Sequence, residues 1–219
     1  MSYPRGKVPF MGPRASKQRF KDTATAAKGS SWKAKQGVLY RQVEDWFIAA
    51  HLRTVASGVG FVHQVEVMAK PMLIDPLYWD DNDLGYNIRQ PLSFRYWGAF
   101  ICGLPVVATR IVDADTSEEM AQRIVQIATE LLPDVLDRLG SEDFAEIASA
   151  PLGIHDNFRM DRTVRYARHL NENPEHAKSV AARLEQAPPP VRGNDYRTIQ
   201  IRVGGSEAGG SGSGSKVPD

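Results

Sequence analysis

A chain of 219 residues with 42% hydrophobic and 24% charged residues has the size and composition of one soluble globular domain with a sizeable core. Cys102, the only cysteine, excludes an internal disulfide and any multi-cysteine metal site, and no apolar run approaches the roughly 18 residues of a membrane span. The net charge of +1 conceals an asymmetry: residues 1–41 hold ten Lys/Arg against the single acid Asp22, whereas residues 42–150 hold seven against 17 Asp/Glu. A basic arm beside an acidic body would either attract nucleic acid or another polyanion, or fold back on its own domain. The basic N-terminus lacks a continuous apolar segment of the signal-peptide kind, and a cytoplasmic location without membrane attachment is the expectation.

Residues 1–15 carry Pro4, Pro9 and Pro13 without an apolar period and read as a flexible basic arm. Ser16 is placed to cap a helix from Lys17 to about Ala27, which Gly29 ends. From Trp32 the pattern changes to period-two alternation with Gly/Ser punctuation. "WKAKQGVLYRQ", "WFIAAHLRT" and "FVHQVEVMA" read as an antiparallel meander. Setting Thr54 opposite Phe61 places Leu52, Ala50 and Ile48 against His63, Val65 and Val67, with His51 and Gln64 on the other face.

The stretch "KPMLIDPLYWDDNDLGYNIRQP" reads as a long connection, followed by two strands at "LSFRYWGAFIC" and "PVVATRIVD". Thr116 or Ser117 then caps a helix with Glu118 and Glu119 in its first turn. Its apolar stripe is Met120, Ile124, Ile127, Leu131 and Val135, and Pro133 would bend or divide it. Helices follow at 142–148, 156–170 and, after Asn173–Pro174, up to Gln186. A Pro-rich linker, a short strand at 196–203 and a Gly/Ser tail occupy 188–219. The fold class is therefore α+β: residues 16–187 form one domain, an antiparallel meander packed against C-terminal helices.

Phrases such as "KGSSWKAKQGVLYRQVEDWFIAAHLR", "GFVHQVEV", "TSEEMAQRIVQIATELLPDVLDRLGSEDFAEI" and "RYARHLNENPEHAKSVAARLEQ" sharpen that order of elements. Together they resemble a bacterial domain-of-unknown-function family associated with small immunity-like cytoplasmic proteins, over roughly residues 16–187. The resemblance implies α+β domains that bind protein partners. It carries no family active site and no cofactor.

Three functions follow. The first is a protein-binding module, immunity- or antitoxin-like, that occludes a basic toxin or effector. Its contact would be Tyr78, Trp79, Asp80, Asp81 and Asp83, since aromatics beside acids anchor interfaces. The second is a nucleic-acid-associated protein using Arg5, Lys7, Arg14, Lys17, Arg19, Lys21 and Lys28, interleaved with Tyr3, Phe10 and Phe20. The third is a metal-dependent hydrolase with Asp75, Asp80, Asp81 and Asp83 as oxygen ligands, although the spacing fails the EF-hand pattern. His63 reads as a core histidine and Cys102 as a buried hydrophobe; His155, His169 and His176 lack ligand spacing, and no nucleophile elbow or phosphate loop appears. Arg159, Arg162, Arg165 and Arg168 wind around half a helix opposite Met160, Val164 and Ala167. Arg162 alone has no acid at helical spacing and is the member left for a partner.

Overall fold

Alternating side chains and tight turns produce the sheet. A computed structural model of the chain describes residues 13–57, 60–150 and 157–188. Strands β1 (Lys33–Lys35), β2 (Val38–Val43), β3 (Trp46–Ser57), β4 (Gly60–Pro71) and β5 (Val106–Val112) lie in the order β1-β2-β3-β4-β5, each antiparallel to its neighbour. Gln36 and Gly37 turn β1 into β2 with φ of 51° and 79°. A side chain at Gly37 would meet the Phe20 ring at 2.7 Å, so the helix that carries Phe20 leans directly on this turn.

The observed register sets Thr54 opposite His63, Leu52 opposite Val65 and Ala50 opposite Val67. The expected pairing is thus displaced by two residues. Because side chains alternate, a two-residue shift leaves every face assignment intact, and His51 and His63 stay on opposite faces. The hairpin tip closes at Ser57–Gly60, which sets the longer alignment.

Helix α1 (Pro13–Ala26) begins at a proline rather than behind Ser16, since proline's fixed φ suits a first turn. Thr23 and Ala27 are buried beneath it, and Asp22 accepts a 2.6 Å hydrogen bond from Ser117. The supposed long connection is largely helical: α2 (Ile74–Asp81) is followed by a 3-10 turn at Gly85–Arg89. Pro76 lies in the first turn, where a missing N–H is tolerated, and Ile74, Leu77, Tyr78 and Trp79 are all buried. The expected strand at "LSFRYWGAFIC" is instead a short helix, α3 (Phe94–Trp97), followed by an extended crossing to β5. Arg95 explains the change, because the helix aims its guanidinium inward at Asp75 and the Met72 carbonyl.

Helix α4 (Ser117–Ser141) starts at Thr116, whose hydroxyl accepts from the Glu119 N–H at 3.1 Å. The stripe from Met120 to Val135 is buried as the spacing predicts. The helix runs continuously through Pro133, which faces solvent, where water can satisfy the carbonyl that proline leaves unbonded. Helices α5 (Phe144–Ser149), α6 (Asn157–Glu172) and α7 (Pro174–Gln186) complete one compact unit ending at Ala187.

The main core lies between the helices and one sheet face, with Leu39, Ile48, Ala50, Val65 and Val67 meeting Ile124, Ala128 and Leu131. A smaller cluster of Val38, Phe47, Ala49 and Met68 lies on the opposite face, against Leu92, Tyr96, Leu104 and Val106 from the α3–β5 segment. That segment covers only one half of the second face. At the other half Ile111 is 71% exposed.

Candidate functional surface

Of the residues expected to meet a partner, Tyr78 and Trp79 are internal, Asp80 and Arg162 are partly buried, and Asp81 and Asp83 are exposed. Trp79 is 2% exposed and donates its indole N–H to the Phe100 carbonyl at 2.6 Å. Tyr78 is buried with the Arg162 guanidinium 3.9 Å above its ring. Asp80 pairs with Arg183 at 2.6 Å, and Asp81 accepts from the Tyr166 hydroxyl at 2.8 Å. Only Asp83, at a φ of 56°, is exposed with no side-chain hydrogen bond among the described residues; its N–H donates to the Asp80 carbonyl at 3.3 Å. Helical spacing is the reason: Ile74, Leu77 and Tyr78 turn inward together, a period hidden among prolines and acids. Arg162 is engaged too, since it also donates to the Ile101 carbonyl at 2.9 Å. It fastens α6 to the α3–β5 crossing and is not the spare cation expected of it.

Asp75 is fully buried. Lys70 Nζ lies 2.9 Å from each of its oxygens and donates also to the Cys102 carbonyl at 2.9 Å. Arg95 donates to Asp75 Oδ2 at 3.0 Å, and the Cys102 N–H donates to Oδ1 at 2.9 Å. Burial pushes the Lys70 pKa down, opposed by the Asp75 charge, and burial pushes the Cys102 thiol up. With Asp75 consumed by these donors, Asp75, Asp80, Asp81 and Asp83 do not converge, and no metal-binding group of three or more ligands occurs among the described residues. Cys102 is the buried hydrophobe its apolar neighbours suggest.

A second polar cluster lies on the same sheet face as Lys70, nearer the β3–β4 hairpin tip. Its members share a face because they alternate along paired strands. His51 Nε2 lies 3.1 Å from Glu66 Oε2, Arg53 donates to Glu66 Oε1 at 3.0 Å, and Gln64 donates there at 2.8 Å. Burial alone would raise the Glu66 pKa, but the hydrogen bonds from His51, Gln64 and Arg53 prevail and hold it at about 2. An ionised Glu66 can only accept, so His51 Nε2 donates to it, while His51 Nδ1 and the Tyr96 hydroxyl share a hydrogen bond at 2.6 Å. Burial and the Glu66 charge raise the Tyr96 phenol to about 12, which keeps it a donor. The chain Tyr96–His51–Glu66 therefore fixes α3 on the sheet. Sequence reasoning missed it, although a charged residue inside the apolar run "FVHQVEVMA" is a signal for a paired one.

His63 is only partly buried and not in the core, and its Nδ1 lies 2.9 Å from Thr54 Oγ1. Burial and the nearby Arg19 charge lower its pKa, with Asp113 opposing. His169 and His176 face each other at 3.0 Å between α6 and α7; His155 lies outside the described residues. An open groove of about 430 Å3 runs past Trp46, Leu73 and Phe144; of its acids Asp45, Glu142 and Asp143, Glu142 is taken by Arg138 and Asp143 by the α5 cap with Asn171.

The basic helix gives a different picture. At 100° per residue, Arg14, Lys17 and Lys21 fall within an arc of about 60°, and Lys28 continues that line past the helix end. All four are exposed, while Thr23 and Ala27, on the opposite side, are buried. Arg19 projects toward the buried side, is only partly exposed, and its pKa is lowered by burial. It drops out of the expected nucleic-acid set, and Arg5 and Lys7 lie outside the described residues. As for the alternative of an arm neutralised on the acidic body, none of Arg14, Lys17, Arg19, Lys21 and Lys28 has an ion-pair partner among the described residues, and Asp22 bonds Gln18 and Ser117.

Comparison with protein-family models, with curated proteins and with solved structures finds no match.

Proposed function

We propose that this chain is a binding module for a nucleic-acid backbone, with the outer face of α1 as its contact. The observation that carries this is the exposed row of Arg14, Lys17 and Lys21 on a helix whose other side is docked, with exposed Lys28 just past the helix end. A docked helix holds cations in a fixed row, so less ordering entropy opposes phosphate contact than in a free arm. Phosphate contacts of this kind position a protein without reading sequence. Acids on the body behind the stripe would keep a polyanion at the helix.

Binding of labelled duplex and single-stranded oligonucleotides, measured by anisotropy across salt concentration, tests the reading. Four phosphate contacts give a slope of log K against log salt of about −3 to −4, and each Lys-to-Ala change along the stripe removes about one unit. Absence of binding to either oligonucleotide at low salt ends the proposal. The rival function, occlusion of a basic toxin or effector by an immunity-like module, is favoured less because its aromatic anchors Tyr78 and Trp79 are buried.

A further inference from the structure

The sheet has two dissimilar edges. Strand β1 is three residues long and exposes Lys33 and Lys35, both features that discourage pairing with another chain. Strand β5 is seven residues long and pairs only with β4 among the described residues. Which of its backbone groups point outward follows from alternation. The Ala69 N–H donates to the Pro105 carbonyl at 3.2 Å, so odd-numbered β4 residues turn toward β5, and Val62, Gln64 and Glu66 turn their N–H and C=O toward β3. His63, Val65 and Val67 turn theirs toward β5, onto Val112, Arg110 and Ala108. Thr109 and Ile111 are left with N–H and C=O facing away from the sheet. Beyond them the Val107 carbonyl points the same way and is closed off by Arg138, which donates to it at 2.8 Å.

Side chains complete the pattern. Ile111 and Thr109 are exposed on the half of the second face that the α3–β5 segment leaves open. Arg110 projects to the other face and lies 2.5 Å from Glu130, both about half exposed. A free edge with an exposed isoleucine and no proline, lysine or bulge at its open end is a template for an added strand.

We propose that Thr109–Ile111 is a strand-addition site for an extended segment of a partner protein, one that carries an acid between two β-branched or aliphatic residues. Charge decides the occupant. A second copy paired about Arg110 would set two arginines directly opposite, about 4.5 Å apart at Cα, which is unfavourable. Pairing about Thr109 would require the Val107 carbonyl that Arg138 holds. A carboxylate opposite Arg110 would share the guanidinium with Glu130, and apolar residues beside Thr109 and Ile111 complete the edge. The site is separate from α1 and does not depend on nucleic-acid binding.

The test uses the full chain and two labelled peptides, TTVEVTT and TTVKVTT, capped at both ends. Anisotropy gives affinity, and hydrogen exchange gives protection of the Thr109 and Ile111 amides. The glutamate peptide should bind saturably and protect both amides, and the lysine peptide should bind about tenfold more weakly. Ile111→Lys and Ile111→Pro should each weaken binding by about tenfold or more at unchanged thermal midpoint, because proline is tolerated where an edge N–H faces solvent. Arg110→Glu should reverse the peptide preference. The proposal is overturned by no saturable binding, by equal affinity for both peptides, or by undiminished binding to Ile111→Pro. A micromolar homodimer abolished by Ile111→Lys would overturn it in favour of a second copy.

Discussion

Two carboxylates on one sheet face show how location divides the work of a charge. Asp75 sits at the closed end, fully buried, where Lys70, Arg95 and the Cys102 N–H reach it from β4, α3 and the crossing to β5. Glu66 sits two turns of the pleat away toward the open end, with partners that still meet water: His51 is 24% exposed and Arg53 35%. Both carboxylates are multiply bonded. The first is out of reach of solvent and of any ligand, and its bonds join segments distant in sequence. The second joins neighbouring strands to α3 and can exchange protons with solvent.

The largest expected effect tests the closed end. Asp75→Ala leaves Lys70 and Arg95 buried without their counter-ion, and the denaturation midpoint should fall by an amount equivalent to about 3–5 kcal/mol. A loss under about 1 kcal/mol would mean that water or rearrangement replaces the carboxylate, and the contrast with Glu66 would collapse.

Acid titration tests the open end. The folded pKa of Glu66, about 2, lies below its ordinary 4.5. The stabilisation is therefore complete above pH 4.5, declines as pH falls from there toward 2, and is gone below. Its size is about 1–3 kcal/mol after allowance for the partly exposed partners. Glu66→Gln should flatten that part of the stability–pH curve, measured by urea unfolding at successive pH values. Parallel acid limbs for the two proteins would assign the loss to other carboxylates.

The smallest effect sharpens the boundary of the closed end. Arg162→Ala removes a hydrogen bond to the Ile101 carbonyl and a cation–π contact with Tyr78, beside the Cys102 N–H that serves Asp75. The expected loss is about 1–2 kcal/mol. Combined with Asp75→Ala, it should be less than additive, since both changes loosen the same crossing. Strict additivity in a double-mutant cycle would separate Arg162 from the Asp75 network.

Local signals account for what was legible. The meander appears in its alternation and turns, and α4 in Thr116, its acidic first turn and its stripe. Faces could be assigned even with the register two residues out, because the error was even. Helix α2 was hidden because Pro76 and the acids from Asp75 to Asp83 resemble a loop, whereas helical geometry hides the apolar set and leaves only some acids outside. The Lys70–Asp75–Arg95 group was illegible for another reason: its donors come from separate segments, and each looks like a surface charge until the chain closes around it. The α1 stripe lay midway. Its charge was plain in the sequence, but only the docked helix separates Arg14, Lys17, Lys21 and Lys28 from Arg19.

The unequal sheet edges bear on assembly size. A chain able to accept strands at both borders can grow into a fibre, each new member presenting the border the last one filled. Here the lysine-bearing border is short and charged, so growth has nowhere to continue once the other is occupied. The molecule is built as a terminus: it can receive one guest and then stops.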